Sequence, residues 1–587
     1  MTGVSAMRVI ATAGHVDHGK STLVRQLTGV EPDRFAEEKR RGLTIDLGFA
    51  EMVSPSGVSI AFVDVPGHVR FIKNMLAGVG AVDACLFVVA ANEGWKPQSE
   101  EHLRILELVG VRRGVVVLTK VDVAGDDLVG LALAEVAEAL TGSPLDRSEV
   151  VAVNATDGAG LDELRWALDR LVTTAPPAVD RGRPRLWVDR SFAIRGAGTV
   201  VTGTLTDGTL AVGEQVGVAT RQGVHRVRIR GLQSFGRDRD VAEPGSRVAL
   251  NLAAIHHRAV RRGNVVVRPR QWHRTRRCDA SFRVLPAVDH RVSRRAALAA
   301  YIGSGEWPIR LNVLRGDSID PGETGLVRMQ LPEALPLVPG DRFVVRDLGR
   351  AETIGGGEVL DVDPALPVSR ARPDRSIGRV IAERGWVRPD ELERLTGERR
   401  EPTVGSWVVD PARLATARDQ LAARIEASPA PGLDVAELED RDRAVLATLP
   451  DVVVSHGRAR PAACDASDPL DDHPFIAALE AEPFSPPSPA EFGIDQAEVR
   501  LLVRRGRVIE RDGLYFAPAA IEGAAALVER LCTEHPGGVT VGQLREAMGT
   551  TRKWAVPLAA LLDARGITHR RGDLRVPGPR LATRGRA

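Results

Sequence analysis

Lys20 and Ser21 end the stretch Gly14-His15-Val16-Asp17-His18-Gly19-Lys20-Ser21, in which two glycines with four residues between them precede Lys and Ser. That pattern suits a polyphosphate. Glycines leave backbone N–H groups open to close approach, the Lys20 ammonium reaches the β- and γ-phosphates as a point charge, and the Ser21 hydroxyl can bind Mg²⁺. The flanking elements position these groups. Residues 8–13 (RVIATA) read as a buried strand, and residues 20–27 (KSTLVRQL) open a helix with Leu23, Val24 and Leu27 on one face, so phosphates lie at a helix N-terminus.

The chain has 587 residues, too many for one hydrophobic core, and three to five domains are expected. Its 43% hydrophobic content is too high for a disordered protein. No apolar run approaches the length needed to cross a bilayer, and a cytoplasmic protein is expected. The four cysteines are scattered without a CxxC pair, which argues against structural zinc and a disulfide framework. Lys and Arg total 79 against 77 Asp and Glu, so any polyanion must be met by local patches.

Beyond the phosphate loop, residues 39–46 (KRRGLTID) lack periodicity and read as a loop. Residues 59–63 form a strand running into Asp64-Val65-Pro66-Gly67-His68, where Gly67 can bring its N–H close to a terminal phosphate. Apolar strands at 84–90 and 114–118 follow, the second ending in Thr119-Lys120-Val121-Asp122. A last strand at 150–153 precedes Asn154-Ala155 and a helix over 160–171. Strands alternate with helices, which predicts a doubly wound parallel sheet with ligand loops at the strand C-termini.

GHVDHGKST, RGLTID, DVPGH and TKVD, in this order and spacing, resemble a translational GTPase of the elongation factor Tu type. The resemblance implies GTP or GDP with Mg²⁺, held by Gly14, His15, Val16, Asp17, His18, Gly19, Lys20, Ser21 and Thr22. It makes Thr44 the switch residue that joins Ser21 and Asp64 around Mg²⁺, with Gly67 sensing the γ-phosphate. His68 takes the water-orienting, catalytic position, and Leu43 with Val16 forms an apolar gate beside it. Asp122 accepts from guanine N1–H and the exocyclic amine, a pair that adenine lacks, and Lys120 flanks the base. Thr119 stands where Asn is commoner, and Ala155 follows Asn154 where Ser is commoner.

After Pro176-Pro177 the pattern changes to short strands with Gly turns, which reads as a β-barrel to about Val267 and a second β domain to about Asp363. DRSFAIRGAGTVVTGT, GDRFVVRD and TIGGGEVLD look like the SelB family of selenocysteine-specific elongation factors. That resemblance places Asp189, Arg190 and Arg247 around the aminoacyl group.

From about Asp374, short helices separated by Pro- and Gly-rich linkers form a coarse repeat of helices and a β-hairpin, with Asp512-Gly513 and Gly572-Asp573 at two hairpin turns. About four winged-helix units are expected. The last concentrates Arg552, Lys553, Arg570, Arg571 and Arg575 near Trp554, a face suited to RNA phosphates and splayed bases.

The expected architecture is therefore a GTP-binding α/β domain (1–174), two β-barrels (175–268 and 269–370) and a tandem winged-helix region (371–587). The expected protein is a monomeric GTPase that delivers selenocysteinyl-tRNA to the ribosome at recoded UGA codons, tethered to an mRNA hairpin. The competing readings are a general or initiator aminoacyl-tRNA carrier and a GTPase regulatory subunit of a sulfate-activating enzyme.

Overall fold

The computed structural model describes residues 7–32, 44, 46–67, 74–76, 82–196, 198–294, 296–429, 431–455, 457–462, 470 and 472–584, and the statements below concern these. It divides into two compact units, Met1–Asp410 and Pro411–Ala587. No helix among the described residues is long and apolar enough to cross a membrane.

The first unit begins with a six-stranded sheet of β1 (Met7–Ala13), β2 (Gly48–Val53), β3 (Ser59–Asp64), β4 (Ala84–Ala90), β5 (Gly114–Thr119) and β6 (Glu149–Ala152), in the order β2-β3-β1-β4-β5-β6. Val9, Ala11 and Ala13 of β1 face one core and Ile10 the other, so the central strand is apolar on both sides. The sheet is not wholly parallel. β2 pairs antiparallel with β3 because the connection is a tight turn, with Ser54 N–H bonded to Val58 C=O, instead of a helical crossover.

Next comes a ring of six strands: Gln215–Thr220, Val265–Val267, Arg185–Trp187, Gly198–Thr206, Arg247–Leu252 and Gly223–Ser234, the last pairing back on the first. Arg190–Ile194 pairs on the outside of this order with Gly198–Thr206. A second closed barrel comprises Arg274–Val284, Thr324–Pro336, Gly305–Val313, Leu298–Ile302, Arg342–Asp347 and Glu352–Asp361. Closure removes the unpaired strand edges of both sheets.

The helices Ile377–Arg384 and Pro389–Thr396 follow the sequence change expected near 370, yet they belong to the first unit. Ile377, Val380, Leu392 and Leu395 enter the same core as the second barrel, and Arg379 bonds to Asp361 at 2.8 Å. The compact division therefore falls 40 residues beyond the sequence boundary, because the apolar face of this first helical module closes on the core of the second barrel.

In the second unit, helices alternate with the hairpins Val452–Ser455/Arg458–Pro461, Ile509–Arg511/Leu514–Phe516 and Thr568–Arg571/Leu574–Pro577. The last module packs Pro518–Glu534, Val541–Ala547 and Arg552–Ala564 around Ala524, Leu544, Leu558 and Leu562. Its wing gains a third strand, Val539–Thr540, against Leu574–Pro577.

Candidate functional site

The loop between β1 and the helix Lys20–Thr28 is shaped by steric necessity. Gly14 has φ 126°, and a Cβ there would meet the Val88 carbonyl oxygen at 2.1 Å; Gly19, at φ 85°, caps the helix. Gly14 N–H donates to the buried His102 Nδ1 at 3.0 Å, and Val16 N–H to Gln98 Oε1 at 3.3 Å. Lys20 Nζ lies under the loop, donating to the carbonyls of Gly14 and His15 at 3.1 and 2.6 Å. Burial lowers its pKa to about 8 against the opposing charges of Asp64 and Asp17. His18 is buried, its Nδ1 3.3 Å from the Val88 carbonyl oxygen, and burial lowers its pKa to about 4. His15 is half-buried, whereas Asp17 and Thr22 are exposed.

Three side-chain oxygen groups converge beside this loop. Ser21 Oγ donates to Asp64 Oδ2 at 2.6 Å and lies 2.8 Å from Thr44 Oγ1, while Thr12 donates to the other Asp64 oxygen at 2.8 Å. An all-oxygen set with one carboxylate fits a hard divalent cation such as Mg²⁺. Gly67 presses on the loop from the opposite side: a Cβ there would come within 2.4 Å of Lys20 Nζ and 2.7 Å of the Val16 nitrogen. His68 and Leu43 lie outside the described residues.

At the far end of the sheet, Thr119 Oγ1 donates to the His18 carbonyl at 2.7 Å, tying β5 to the phosphate loop. Lys120 adopts φ 53°, and its ammonium lies 3.1 Å from Glu93. Asp122 is exposed in the first turn of Val121–Leu140. Asn154 is buried and accepts from Thr156 N–H at 2.9 Å, which folds the turn carrying Ala155.

A second cluster joins the first barrel to β2. Arg247 donates to both oxygens of Asp189, at 2.6 and 3.2 Å, and Thr202 adds a bond at 2.6 Å. Burial pushes the Asp189 carboxyl up, but Arg247 and these hydrogen bonds outweigh it and hold the group below its ordinary value. Arg190 does not join Asp189 in a hydrogen bond; it donates to the Leu47 carbonyl. Phe49 carries both guanidinium groups on its ring, Arg247 at 3.6 Å and Arg190 at 4.5 Å from the centroid.

In the terminal module, Arg552, Lys553, Arg570 and Arg571 are exposed, with Lys553 over the Trp554 ring at 4.0 Å. Arg575 departs from the expectation that it faces RNA. It is 7% exposed and bonds to Asp563 at 3.1 Å, because strand alternation turns it toward the preceding helix.

His102, Gln98, Thr12, Glu93 and Phe49 carried no motif in the sequence. Their partners lie tens of residues away, 88 in the case of Gly14 and His102, so only folding brings them together.

The comparisons with known proteins follow the same division. Residues 5–174 match the Elongation factor Tu GTP binding domain, and 198–267 match Elongation factor Tu domain 2. Residues 280–366 match the Selenocysteine-specific elongation factor, beta-barrel domain, and 530–576 match Elongation factor SelB, winged helix. The chain is 40% identical to a selenocysteine-specific elongation factor of Desulfomicrobium baculatum over 60% of this chain, a match spanning 55% of that relative's length. It is 30% identical to that of Escherichia coli K12 over 96% of this chain and 98% of the relative. A crystal structure of a bacterial selenocysteine-specific elongation factor, EF-Sec, superimposes with a TM-score of 0.74 at 26% identity, covering 97% of this chain and 99% of that one. With a GTP-binding domain, two barrels and a terminal winged helix in register with these relatives, the chain belongs to the selenocysteine-specific elongation factors and is a translational GTPase that hydrolyses GTP.

Proposed function

We propose that the GTP-bound protein carries selenocysteinyl-tRNA to the ribosome at UGA codons marked by a hairpin in the message, in the cytoplasm. The observation that supports this most is the short segment joining the two clusters: Thr44 stands beside Ser21 and Asp64, and Phe49, five residues on, lies under Arg190 and Arg247. A γ-phosphate that repositions Thr44 would therefore move the floor of the arginine cluster.

In this reading the residues from Gly14 to Thr22 hold the phosphates, and Lys20 exchanges its two loop carbonyls for phosphate oxygens. Ser21, Thr44 and Asp64 would hold Mg²⁺, which neutralises phosphate charge when bound. Asp122, Lys120, Asn154 and Ala155 take the guanine, while Thr119 supports the loop. Gly67 senses the terminal phosphate, and His68 orients the attacking water behind Leu43 and Val16. Catalysis of this kind is mostly positioning and electrostatic stabilisation, so hydrolysis stays slow until the ribosome completes the site.

Arg190 and Arg247 would favour a selenolate over the neutral serine hydroxyl, with Asp189 fixing Arg247. One charge-assisted hydrogen bond contributes about 1.5–3 kcal/mol, roughly ten- to a hundredfold in affinity. The exposed cations of the terminal module would grip the message hairpin and raise the local concentration at one codon to about millimolar.

The test compares retention of selenocysteinyl-tRNA and seryl-tRNA on protein loaded with GTP or GDP. Tight retention only of the selenocysteinyl form, and only with GTP, is expected. Equal retention of both tRNAs, or no dependence on the third phosphate, overturns the proposal.

A further inference from the structure

Arg262, in the loop before Val265–Val267, commits all three guanidinium nitrogens to different parts of the first unit. Nη2 donates to Asp46 Oδ1 at 2.6 Å, Nη1 to Asn74 Oδ1 at 2.8 Å, and Nε to the main-chain carbonyl of Asp189 at 3.0 Å. Asp46 is two residues past Thr44, and Asn74 is seven past Gly67. Asp189 is the partner of Arg247. One planar side chain thus touches both phosphate-facing segments and the backbone of the arginine cluster.

We infer that Arg262 is a positioning residue that couples the phosphate site to the Asp189/Arg190/Arg247 cluster, without itself touching nucleotide or cargo. The inference rests on the cargo reading given above. Thr44 and Phe49 are separated by five residues, a span of at most about 18 Å even when extended, so the two ends cannot part beyond that reach. Along that span Asp46 is held by Arg262, the Leu47 carbonyl by Arg190, and the Phe49 ring by Arg190 and Arg247. Arg262 also donates to the Asp189 main-chain carbonyl, beside the covalent link of Asp189 to Arg190, so moving Asp46 pulls on the residue that orients Arg247. The Asp46–Arg262 pair is half-buried, at 25% and 29% exposure, so water screens it only in part. A lysine would keep the charge but could not reproduce the three-way planar fork.

Two measurements on the full-length protein test this. In the first, hydrogen exchange is compared between the GDP form and a form loaded with a non-hydrolysable GTP analogue, without tRNA. Wild type is expected to change protection in Arg190–Ile194 and Arg247–Leu252. In Arg262→Ala the change should stay within the GTP-binding domain. In the second, the affinity ratio for selenocysteinyl-tRNA between the two nucleotide forms is expected to fall about tenfold or more in Arg262→Ala, and less in Arg262→Lys, with nucleotide affinity unchanged. An undiminished ratio overturns the inference, as does an equal loss of tRNA affinity in both forms, which would make Arg262 a simple strut. Should Arg262→Ala fail to fold, Asp46→Ala, which removes the acceptor of Arg262 Nη2, carries the same expectation, and a folded Asp46→Ala with full coupling is equally fatal. Failure of the cargo reading looks different: the wild-type barrel would still answer the nucleotide by exchange while seryl- and selenocysteinyl-tRNA bound alike.

Discussion

Arg247→Ala should damage the first barrel before any tRNA is added. Asp189 and Arg247 have side chains 8% and 11% exposed, and they share bonds of 2.6 and 3.2 Å. Truncating Arg247 leaves the Asp189 carboxylate buried with Thr202 as its remaining close donor at 2.6 Å, at a cost of about 3–5 kcal/mol for a broken buried pair. Removing both partners leaves no orphaned charge, so Asp189→Ala/Arg247→Ala is expected to be at least as stable as Arg247→Ala alone, a strongly non-additive cycle. Native-state hydrogen exchange at the slow amides of Gly198–Thr206 and Arg247–Leu252 reads the opening of this barrel apart from the rest of a multidomain chain. The pH dependence has a definite sign. The Asp189 carboxyl is held below its ordinary value, so its contribution is present above the unfolded pKa of about 3.9 and is lost as pH falls through the native one. The gap between wild type and Arg247→Ala should therefore shrink in acid. A loss below about 0.5 kcal/mol near neutrality, or single costs that simply add, would refute the buried-pair argument.

Gly67→Ala should weaken triphosphate binding by about 1–3 kcal/mol, roughly ten- to a hundredfold, because the new Cβ meets the Val16 nitrogen at 2.7 Å and main chain yields less than a side-chain tip; unchanged affinity in a fluorescent-nucleotide titration would contradict this. Burial lowers His18 to about 4 and His102 to about 3, so as pH falls below about 6.5 the unfolded chain takes up protons first and stability declines by about 1.4 kcal/mol per pH unit for each histidine. Urea midpoints of the GTP-binding domain followed from pH 7 to 5 should show that slope, reduced by one proton in His102→Gln. For the terminal module, hairpin-RNA affinity should fall steeply with salt, and Lys553→Ala or Arg570→Ala should each flatten the log–log slope by about 0.7–0.9. Arg575→Ala should lower the melting temperature of the module and leave the slope alone, since Asp563 holds it.

The strands, the phosphate loop and the hairpin turns were legible in the sequence because each depends on neighbours a few residues apart. Gly14 and Gly19 adopt positive φ in the loop that their spacing marked, and the turns at Asp512-Gly513 and Gly572-Asp573 join the strands anticipated around them. The antiparallel β2 was signalled only by the turn-forming run Ser54-Pro55-Ser56-Gly57, which the strand–helix alternation of the rest of the domain overshadowed. The inward turn of Arg575 was hidden for a related reason. A basic run shows how many cations a hairpin carries, but the helix residue Asp563, against which Arg575 is packed, selects which of them turns inward.

By itself, then, the amino-acid order carried the pattern of a polyphosphate loop, while Thr44 and Asp64 beside Ser21, and Asp189, Arg190 and Arg247 in the first barrel, were picked out through the family resemblance its motifs bear. Tertiary structure alone decided how those parts are wired. It put Phe49 beneath Arg190 and Arg247, Arg262 across Asp46, Asn74 and Asp189, and His102 behind Gly14. The physical reason is range. Dihedral preference and hydrophobic period act over a few residues, whereas these contacts join positions 73 to 216 residues apart, where only the closing of a shared core can choose the partner.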